Sequence, residues 1–504
     1  MSWCVYPTVD TEPRFHGYEV KINGVPAALN TARVSAMPFN RRWPGHQRPI
    51  DQTELCNFLS METDEPLTFE IKPAKPFDRV DIRPRSLGIT PEITAEGTIR
   101  FTLEKPAYFT VEPYGRHNAL HVFADEPAAY NVDKNDPNVL YYGPGEHDVG
   151  MIYLQSNQTL FLDAGAVVYA CVRATDAENI KILGRGILDI SRNKETILFE
   201  ANVDNNHSAV KNAKRLHTIQ LEYCTNVEID GITIRDSLVY NIRPLACRNF
   251  TVRNMKAIGC WRYNSDGIDM HNCENVLIDH CFLRTFDDCL CIKGFDCYYQ
   301  GDVEKAVREA MYRNGENYDS FRNVVVKNCV LWNDWGKCLE IGAETRAEEM
   351  CNILFTDCDV IHVTGPVLDC DNVDYADVHD VVFRNINIEL DEEIPKPVLQ
   401  RTDAQCYENP DPDYCPKIVL VDVQFHHEYS AGGTRRGKNR DMVFENIRLY
   451  GRQRPHFFFR GYDEDHKTAN ITLRDFFVND APLAKDGFLL TEDVFTENIR
   501  VICE

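Results

Sequence analysis

Residues 226–278 read NVEIDGITIRDSLVYNIRPLACRNFTVRNMKAIGCWRYNSDGIDMHNCENVLI, and one pattern recurs three times within them. An asparagine, Asn226, Asn249 or Asn275, opens each short run of β-prone residues. These openers are 23 and 26 residues apart, which is the period of a solenoid built from short strands and turns. The stretch therefore predicts a β-solenoid.

The same kind of opener recurs well beyond this stretch. The full series is Asn179, Asn226, Asn249, Asn275, Asn323, Asn352, Asp380, Asp441, Asn470 and Asn498. Uninterrupted steps are 23, 26, 29, 28, 29 and 28 residues; the step of 48 after Asn275 fits two coils, and the step of 61 after Asp380 needs two coils or a large loop. Strands of adjacent coils stack about 4.8 Å apart. Cys281, Cys329 and Cys358 each lie six residues after an opener, so we expect one inward-facing stack of buried thiols.

Residues 1–130 have a different pattern of short alternating segments separated by turn residues, such as YEVKING (18–24) and TIRFTLEK (98–105). This pattern is typical of an antiparallel β-sandwich. We therefore expect an all-β chain, with an N-terminal sandwich at 1–130 and a right-handed parallel β-helix at 131–504. Loop insertions are expected at about 300–320 and 401–440, and helical spacing predicts a short helix over 302–313.

The composition limits the partners. The formal net charge is −24, which argues against nucleic acid or an anionic membrane because phosphate contacts need clustered Lys and Arg. The N-terminus shows no signal-peptide pattern, so we expect a cytoplasmic protein, and its 19 cysteines are expected to be reduced and mostly buried. The cysteine spacings do not suggest a structural zinc site, and neither a metal nor another cofactor is predicted. The oligomeric state stays open.

Three acidic residues fall at matching places in neighbouring repeats. Asp266 and Asp287 are 21 residues apart, about one coil, and Asp288 follows directly. We expect them to lie on adjacent rungs and on one face. Crowded carboxylates raise the proton affinity of at least one member, and glycoside hydrolysis needs one protonated and one ionised carboxyl group. Aspartates also cap turns between strands; the adjacent pair argues against that purely structural explanation, since one capping Asp would suffice.

The run NSDGIDMHNCENVLIDHCFLRTFDDCLCIKG at 264–294 resembles the active-site signature of glycoside hydrolase family 28, the polygalacturonase family. The resemblance covers roughly residues 140–400. It implies an inverting glycosidase on a parallel β-helix, with Asp287 as the general acid that protonates the glycosidic oxygen. By the same resemblance, Asp266 and Asp288 would hold and deprotonate the attacking water, and Asn264 and Lys293 would line the substrate subsites. Asp269 would be structural.

The chain departs from that family at its basic residues. Alignment on Ile341-Gly342 puts Lys337 where the family has a histidine, and TGPVLD at 364–369 replaces the R-I-K motif that grips a galacturonate carboxylate. An aspartate in such a cleft disfavours a uronate, so pectin is not the expected substrate. Lys337 is either a replacement charge or an ordinary exposed lysine. A β-sandwich ahead of a β-helix is also similar to glycoside hydrolase family 49, the dextranase and isopullulanase family, which acts on neutral glucans.

Aromatic residues flank the acidic coils. Tyr263 and Trp335 are candidates for stacking on a sugar face, with core packing as the alternative. The Arg-rich stretch 33–54 either reaches over the cleft or forms a surface or interface loop. The leading hypothesis is an inverting, exo-acting glycoside hydrolase that cleaves oligosaccharides. The alternatives are a β-helix lyase or epimerase with Ca²⁺ and a lysine base, or a non-catalytic carbohydrate-binding solenoid.

Overall fold

The structure is a computed structural model, and the chain is built almost entirely from β-strands. It describes residues 3–36, 40–41, 50, 53–194, 216–262, 264–295, 309–363, 365–390, 398–399, 417–426, 429–430 and 433–503. Within these residues, helices long and apolar enough to span a bilayer do not occur.

Two sheets face each other in the N-terminal part. The strands of the first sheet are Trp3–Val5, Asn30–Ser35, Thr53–Thr63, Asp81–Arg83, Ala107–Arg116 and Leu120–Asp125. Those of the second are Tyr18–Ile22, Val25–Ala27, Leu67–Pro73, Glu92–Ile93 and Ile99–Leu103, and a 3-10 turn spans Arg85–Leu87. Alternating side chains of both sheets fill one apolar core. The sandwich is thus as predicted, except that Leu120–Asp125 runs parallel to Thr53–Thr63.

The rest of the chain winds into the predicted parallel β-helix, a single 29-stranded assembly with three strand faces. The first face holds the opener strands: Val139–Tyr142, Thr159–Leu162, Glu178–Gly184, Thr225–Asp230, Arg248–Arg253, Glu274–Asp279, Ser320–Lys327, Glu349–His362, Asp377–Glu389, Lys438–Tyr450, Thr468–Val478 and Thr496–Val501. The second face follows each turn: Gly145–Tyr153, Ala166–Thr175, Ile187–Asp189, Thr233–Arg235, Lys256–Ile258, Phe282–Thr285 and Val330–Asn333, with the long first-face strands continuing into it in later coils.

The third face carries the strands nearest the acidic residues. They are Ile219–Glu222, Ile242–Leu245, Ile268–His271, Leu290–Lys293, Leu339–Ala343, Leu368–Asn372, Lys417–Val423, His456–Arg460 and Leu489–Glu492. Three short pairings lie outside the regular coils: Ala481–Pro482 against Thr468–Val478, Tyr312–Arg313 against Glu316–Asn317, and Val398–Leu399 against Asn40–Arg41. The apolar interior of the coils forms one continuous core.

The openers have a shared conformation. All ten have a φ between 53° and 60°, the left-handed region that Asn and Asp tolerate better than other residues with a side chain. Their amides also stack: Asn249 Nδ2 donates to Asn226 Oδ1 at 2.8 Å, and Asn275 Nδ2 donates to Asn249 Oδ1 at 3.1 Å. The backbone turn and this hydrogen-bonded ladder explain why the repeat begins with these residue types.

The prediction of two coils between Asn275 and Asn323 is wrong. Glu274–Asp279 pairs directly with Ser320–Lys327, and Asn323 Nδ2 donates to Asn275 Oδ1 at 2.9 Å, so one coil with a long insertion fills the gap. The step after Asp380 is likewise one coil with a large loop, because Asp377–Glu389 pairs with Lys438–Tyr450. The spacing between openers therefore gives the number of coils only where no loop is inserted between them.

The predicted thiol stack is confirmed. Cys281, Cys329 and Cys358 are buried in the core, and burial and its two cysteine neighbours raise the pKa of the Cys329 thiol well above its usual value. The pKa of the Cys247 thiol is raised in the same way, by burial and then by its contact with Cys273. Thiols in this state are apolar packing groups rather than nucleophiles.

The predicted helix over 302–313 lies mostly outside the described residues. Residues 309–311 are helical, but Tyr312–Arg313 pairs with Glu316–Asn317, so the helix does not extend to 313. The hairpin is closed by Asn314 and Gly315, both at positive φ, a turn that the helical spacing did not reveal. Most of the Arg-rich stretch and half of the predicted loop at 401–440 also lie outside the described residues. In the described half, Lys417–Val423 is a third-face strand and Lys438–Tyr450 begins before residue 440, so the predicted loop was too wide.

The sandwich packs on the second face of the β-helix. Phe58 and Phe123 of the sandwich join Phe282 and Trp332 of the helix in one apolar cluster. Buried polar contacts surround this cluster; Ser35 Oγ, for example, donates to Asp334 Oδ2 at 3.0 Å. The sandwich thereby also contacts a turn between the second and third faces, because Asp334 directly follows the strand Val330–Asn333.

Candidate active site

The three aspartates lie in the turns that enter the third face. Ile268 pairs with Leu290 in register, so Asp266 and Asp288, each two residues earlier, occupy equivalent places in adjacent coils. The amide of Gly267 donates to the Asp288 carbonyl at 2.8 Å and joins the two turns. The expectation that a spacing of about one coil brings these carboxylates together is confirmed.

The next coil covers this pair closely. A Cβ atom on Gly336 would lie 2.6 Å from the Asp287 carbonyl carbon and 2.6 Å from the Asp288 nitrogen, so only glycine fits there. The Lys337 amide donates to Asp288 Oδ1 at 2.9 Å, and Asn333 Nδ2 donates to the Asp287 carbonyl at 2.7 Å. One coil thereby positions the acidic pair of the coil before it, through a backbone amide and the side chain of Asn333.

A buried row of three carboxyl groups and one thiol, which we call the floor, lies beside the site, and Glu340 is the member of this row that lines the cavity. Asp269, Cys291, Glu340 and Asp369 are register partners on four successive third-face strands, and all four are buried. Lys293 lies among them, with its Nζ 2.8 Å from Asp269 Oδ2 and 3.8 to 3.9 Å from carboxylate oxygens of Asp266, Asp288 and Glu344. The role expected for Asp269 as a structural residue agrees with this contact.

Lys337 is not an ordinary exposed lysine. Its side chain is 21% exposed, and its Nζ lies 2.6 Å from Glu340 Oε1, 2.7 Å from Asp369 Oδ2 and 3.6 Å from Asp371 Oδ2. Burial lowers the pKa of Lys337, but these three carboxylates outweigh burial and raise it well above its usual value. Lys337 is therefore held as an ammonium ion that is already neutralised by protein groups.

Crowding and burial raise the pKa values of several carboxyl groups in the site. Burial, and then the charges of Asp269 and Asp287, raise the pKa of Asp266 well above its usual value. Burial and the neighbouring Asp288 raise the pKa of Asp287 in the same direction. Burial also raises the pKa of Glu340, and that of Asp369 to about 7. The group therefore holds protons at a pH where isolated carboxyl groups would be ionised.

The three aspartates Asp266, Asp287 and Asp288 line a cavity of about 410 Å³. Of the predicted binding residues, Asn264, Lys293, Trp335 and Lys337 line it; Tyr263 lies outside the described residues. Asn264 approaches the general-acid candidate, with its backbone nitrogen 3.3 Å from Asp287 Oδ2. Trp335 lies parallel to the ring of Phe286 at 5.5 Å, so core packing and the cavity wall share this side chain.

The sequence did not point to several other lining residues. They are Tyr240, Gly336, Glu340, Ala343, Glu344, Pro366, Asp371, His426 and Tyr429. Glu340, Glu344 and Asp371 sit on or beside third-face strands of later coils, where the chain departs from the family's basic motifs. The strand register would have located Glu340, since it pairs with Cys291.

Ligand atoms of Asp288, Cys291 and Glu340 lie within 4.8 Å of one another. Metal binding by sulfur requires a thiolate, but Cys291 Sγ donates to Glu340 Oε2 at 3.2 Å. Burial raises the pKa of this thiol well above its usual value. The cluster is thus arranged as a hydrogen-bonded part of the floor.

Comparison with known families agrees with this geometry. The family model "Glycosyl hydrolases family 28" matches residues 146–427, more than half of the chain. The chain belongs to glycosyl hydrolase family 28. This is a family of glycosidases, and the membership confirms the resemblance seen in the two aspartate motifs.

Curated relatives cover a smaller part. A probable polygalacturonase of Vitis vinifera is 28% identical over 184 residues, 32% of this chain and 38% of the relative. A polygalacturonase of Gossypium barbadense is 26% identical over 210 residues, 39% of this chain and 49% of the relative. The chain thus spans less than half the length of the curated relatives it matches.

Among solved structures, Dex49A from Penicillium minioluteum superposes with a TM-score of 0.57 at 12% identity. The match covers 99% of this chain and 98% of that one. It shows a shared fold that includes the sandwich as well as the β-helix, and it agrees with the expected likeness to family 49 in domain order.

Proposed function

We propose that the protein is an inverting glycoside hydrolase that acts from the end of an oligosaccharide chain. The observation that carries this proposal is the adjacent pair of buried Asp287 and partly buried Asp288 in the lining of the acidic cavity, with Asp266 at the place equivalent to Asp288 in the coil before. Inverting hydrolysis needs a protonated carboxyl group to protonate the leaving oxygen, and an ionised one to activate water. Membership of family 28 supports the reaction class.

In this proposal Asp287 is the general acid. Its carboxyl group is 7% exposed and its pKa is raised by burial and by Asp288, which keeps a proton available at the cavity surface. Protonation of the glycosidic oxygen lets the leaving sugar depart as an alcohol, while water attacks the anomeric carbon from the opposite face.

Asp288 is the better candidate for the ionised base. It accepts the Lys337 amide at 2.9 Å and lies 3.9 Å from Lys293 Nζ, contacts that suit a carboxylate. Asp266 has a raised pKa and is 1% exposed. It would hold the attacking water and share a proton within the group, rather than act as a second independent base.

The exo mode and the oligosaccharide substrate rest on the size of the cavity. About 410 Å³ is at the small end of ligand pockets, which favours the end of a chain over the middle of a polymer. The cytoplasmic location stays a prediction.

The lyase or epimerase alternative has less support. Such a reaction needs an unprotonated base beside the sugar C5, and Lys337 has a raised pKa because three carboxylates surround it. A lyase would release an unsaturated product that absorbs in the ultraviolet. The non-catalytic alternative predicts binding without turnover.

The test is a screen of the purified protein against aryl glycosides and oligosaccharides, followed by proton NMR of the first-formed product. We expect release of a terminal sugar whose anomeric configuration is opposite to that of the substrate. A product of retained configuration, an unsaturated product, or binding without turnover would each contradict the proposal.

A further inference from the structure

We infer that the subsite beside Asp287 selects a sugar ring without a carboxylate. This inference rests on the proposed function and names its substrate class. The family's relatives are called polygalacturonases, so it also predicts where this chain differs from them.

The cavity has more acidic than basic side chains in its lining. Among the described residues, its lining includes six carboxyl groups, Asp266, Asp287, Asp288, Glu340, Glu344 and Asp371, against Lys293, Lys337 and His426. The acidic groups outnumber the basic ones even when Asp287 holds the proton that it donates in the proposed reaction. A uronate would add a further negative charge to a buried site that is already negative.

Both lysines of the cavity already contact carboxyl groups of the protein. Lys293 has one carboxylate oxygen at 2.8 Å and three more within 3.9 Å. Lys337 has carboxylate oxygens at 2.6, 2.7 and 3.6 Å. A substrate carboxylate would have to displace one of these contacts, and would leave a buried protein carboxylate without its cation.

The same groups suit an uncharged sugar. Carboxylate oxygens accept hydrogen bonds from hydroxyl groups, and such charge-assisted bonds are stronger than neutral ones. The rings of Tyr240, Trp335 and Tyr429 add apolar wall to the cavity, where the C–H face of a sugar packs. A hydroxymethyl group at C6 therefore finds acceptors where a carboxylate finds repulsion.

The test compares substrates that differ only at C6. We would measure kcat/KM for aryl glycosides in the gluco, galacto and manno series, each with its uronide, and for oligogalacturonides with their carboxyl-reduced forms. The expected result is that the uncharged member of the hydrolysed pair is cleaved at least 100-fold faster. Equal or faster cleavage of the uronide overturns the inference while leaving the hydrolase proposal intact. Failure to cleave any member overturns both.

Two variants test the cause of the selectivity. Asp371→Asn and Asp369→Asn each remove a carboxylate beside Lys337, so each should raise the ratio of uronide to uncharged cleavage by about tenfold or more. Asp279→Asn is the control, because its carboxylate lies on the first face and accepts from Asn328; it should leave the ratio unchanged. Thermal unfolding identifies a variant that fails to fold. If folded Asp371→Asn and Asp369→Asn proteins both keep the wild-type ratio, charge is not the source of selectivity and the inference fails.

Discussion

Two sets of Asn and Asp side chains repeat along the same β-helix, and they occupy opposite environments. The openers on the first face are mostly exposed, and their backbone has a left-handed conformation. Their asparagine side chains donate hydrogen bonds to the opener of the coil before. The aspartates at the start of the third face are largely buried and crowded, and burial raises the pKa of Asp266 and Asp287.

This difference in environment indicates that the openers stabilise the fold, whereas the aspartates at the third face serve the chemistry. In the ladder, asparagine amides donate to the side chain of the opener before them, so these polar groups are paired as they are in stable structures. The cleft instead concentrates like charges away from water, which costs folding free energy. Such a cost is typical of sites where activity and stability are in conflict.

Among these substitutions, Asp287→Asn should have the largest effect, which is a loss of activity. Loss of the proton donor is expected to lower kcat/KM by about 1000-fold, whereas the free energy of unfolding should stay the same or rise because one buried, repelled carboxyl group is gone. Steady-state kinetics and urea unfolding measure both. Asp279→Asn, in the same coil but outside the cleft, should keep wild-type activity; a Asp287→Asn protein that keeps its activity would remove the acid assignment.

Glu389→Gln examines a buried carboxyl group far from the cleft. Glu389 lies between the sandwich and the β-helix, where it accepts from the Arg85 amide at 2.6 Å, and burial raises its pKa from 4.5 to about 7. Since the folded state holds this proton more tightly, the stabilising contribution is complete below pH 4.5 and is lost as the pH rises through 7.

The wild type should therefore lose about 3 kcal/mol more unfolding free energy than Glu389→Gln between these limits, at 1.36 kcal/mol per pKa unit. Denaturant titrations at several pH values measure this. The control is Glu348→Gln, at an ion pair with Arg435 in which both side chains are about half exposed. Parallel pH curves for wild type and Glu389→Gln would contradict the expectation.

Asn249→Ala should have the smallest of these effects. In contrast to Asp287→Asn, it should lower the free energy of unfolding and leave the activity unchanged. Alanine at a φ of 53° costs about 1 kcal/mol, and the loss of two ladder hydrogen bonds adds about 1 kcal/mol. Asn249→Gly, which tolerates this φ, should recover about half of the lost stability; equal destabilisation by both would show that the backbone conformation is not the reason for Asn.

The repeat was readable from sequence because each coil needs a left-handed residue at one place, and only a few residue types tolerate it. The adjacency of Asp266 and Asp288 followed from the coil length. Coil counting failed after Asn275 because an insertion and a second coil have the same length in sequence. Glu340, Glu344 and Asp371 were missed, since they come from coils where the sequence departs from the family's motifs. The neutralisation of Lys337 was missed because it depends on which residues of adjacent coils are in register.

Catalysis by Asp287 requires that burial and the neighbouring Asp288 keep a proton on its carboxyl group. The most direct test is a carbon-13 NMR titration of aspartate-labelled protein, with Asp287→Asn to assign the resonance. We predict a side-chain carboxyl that titrates well above 3.8 and disappears in the variant. A resonance assigned to Asp287 that titrates at or below 3.8 would contradict the account, because the cleft would then hold no acid at that position.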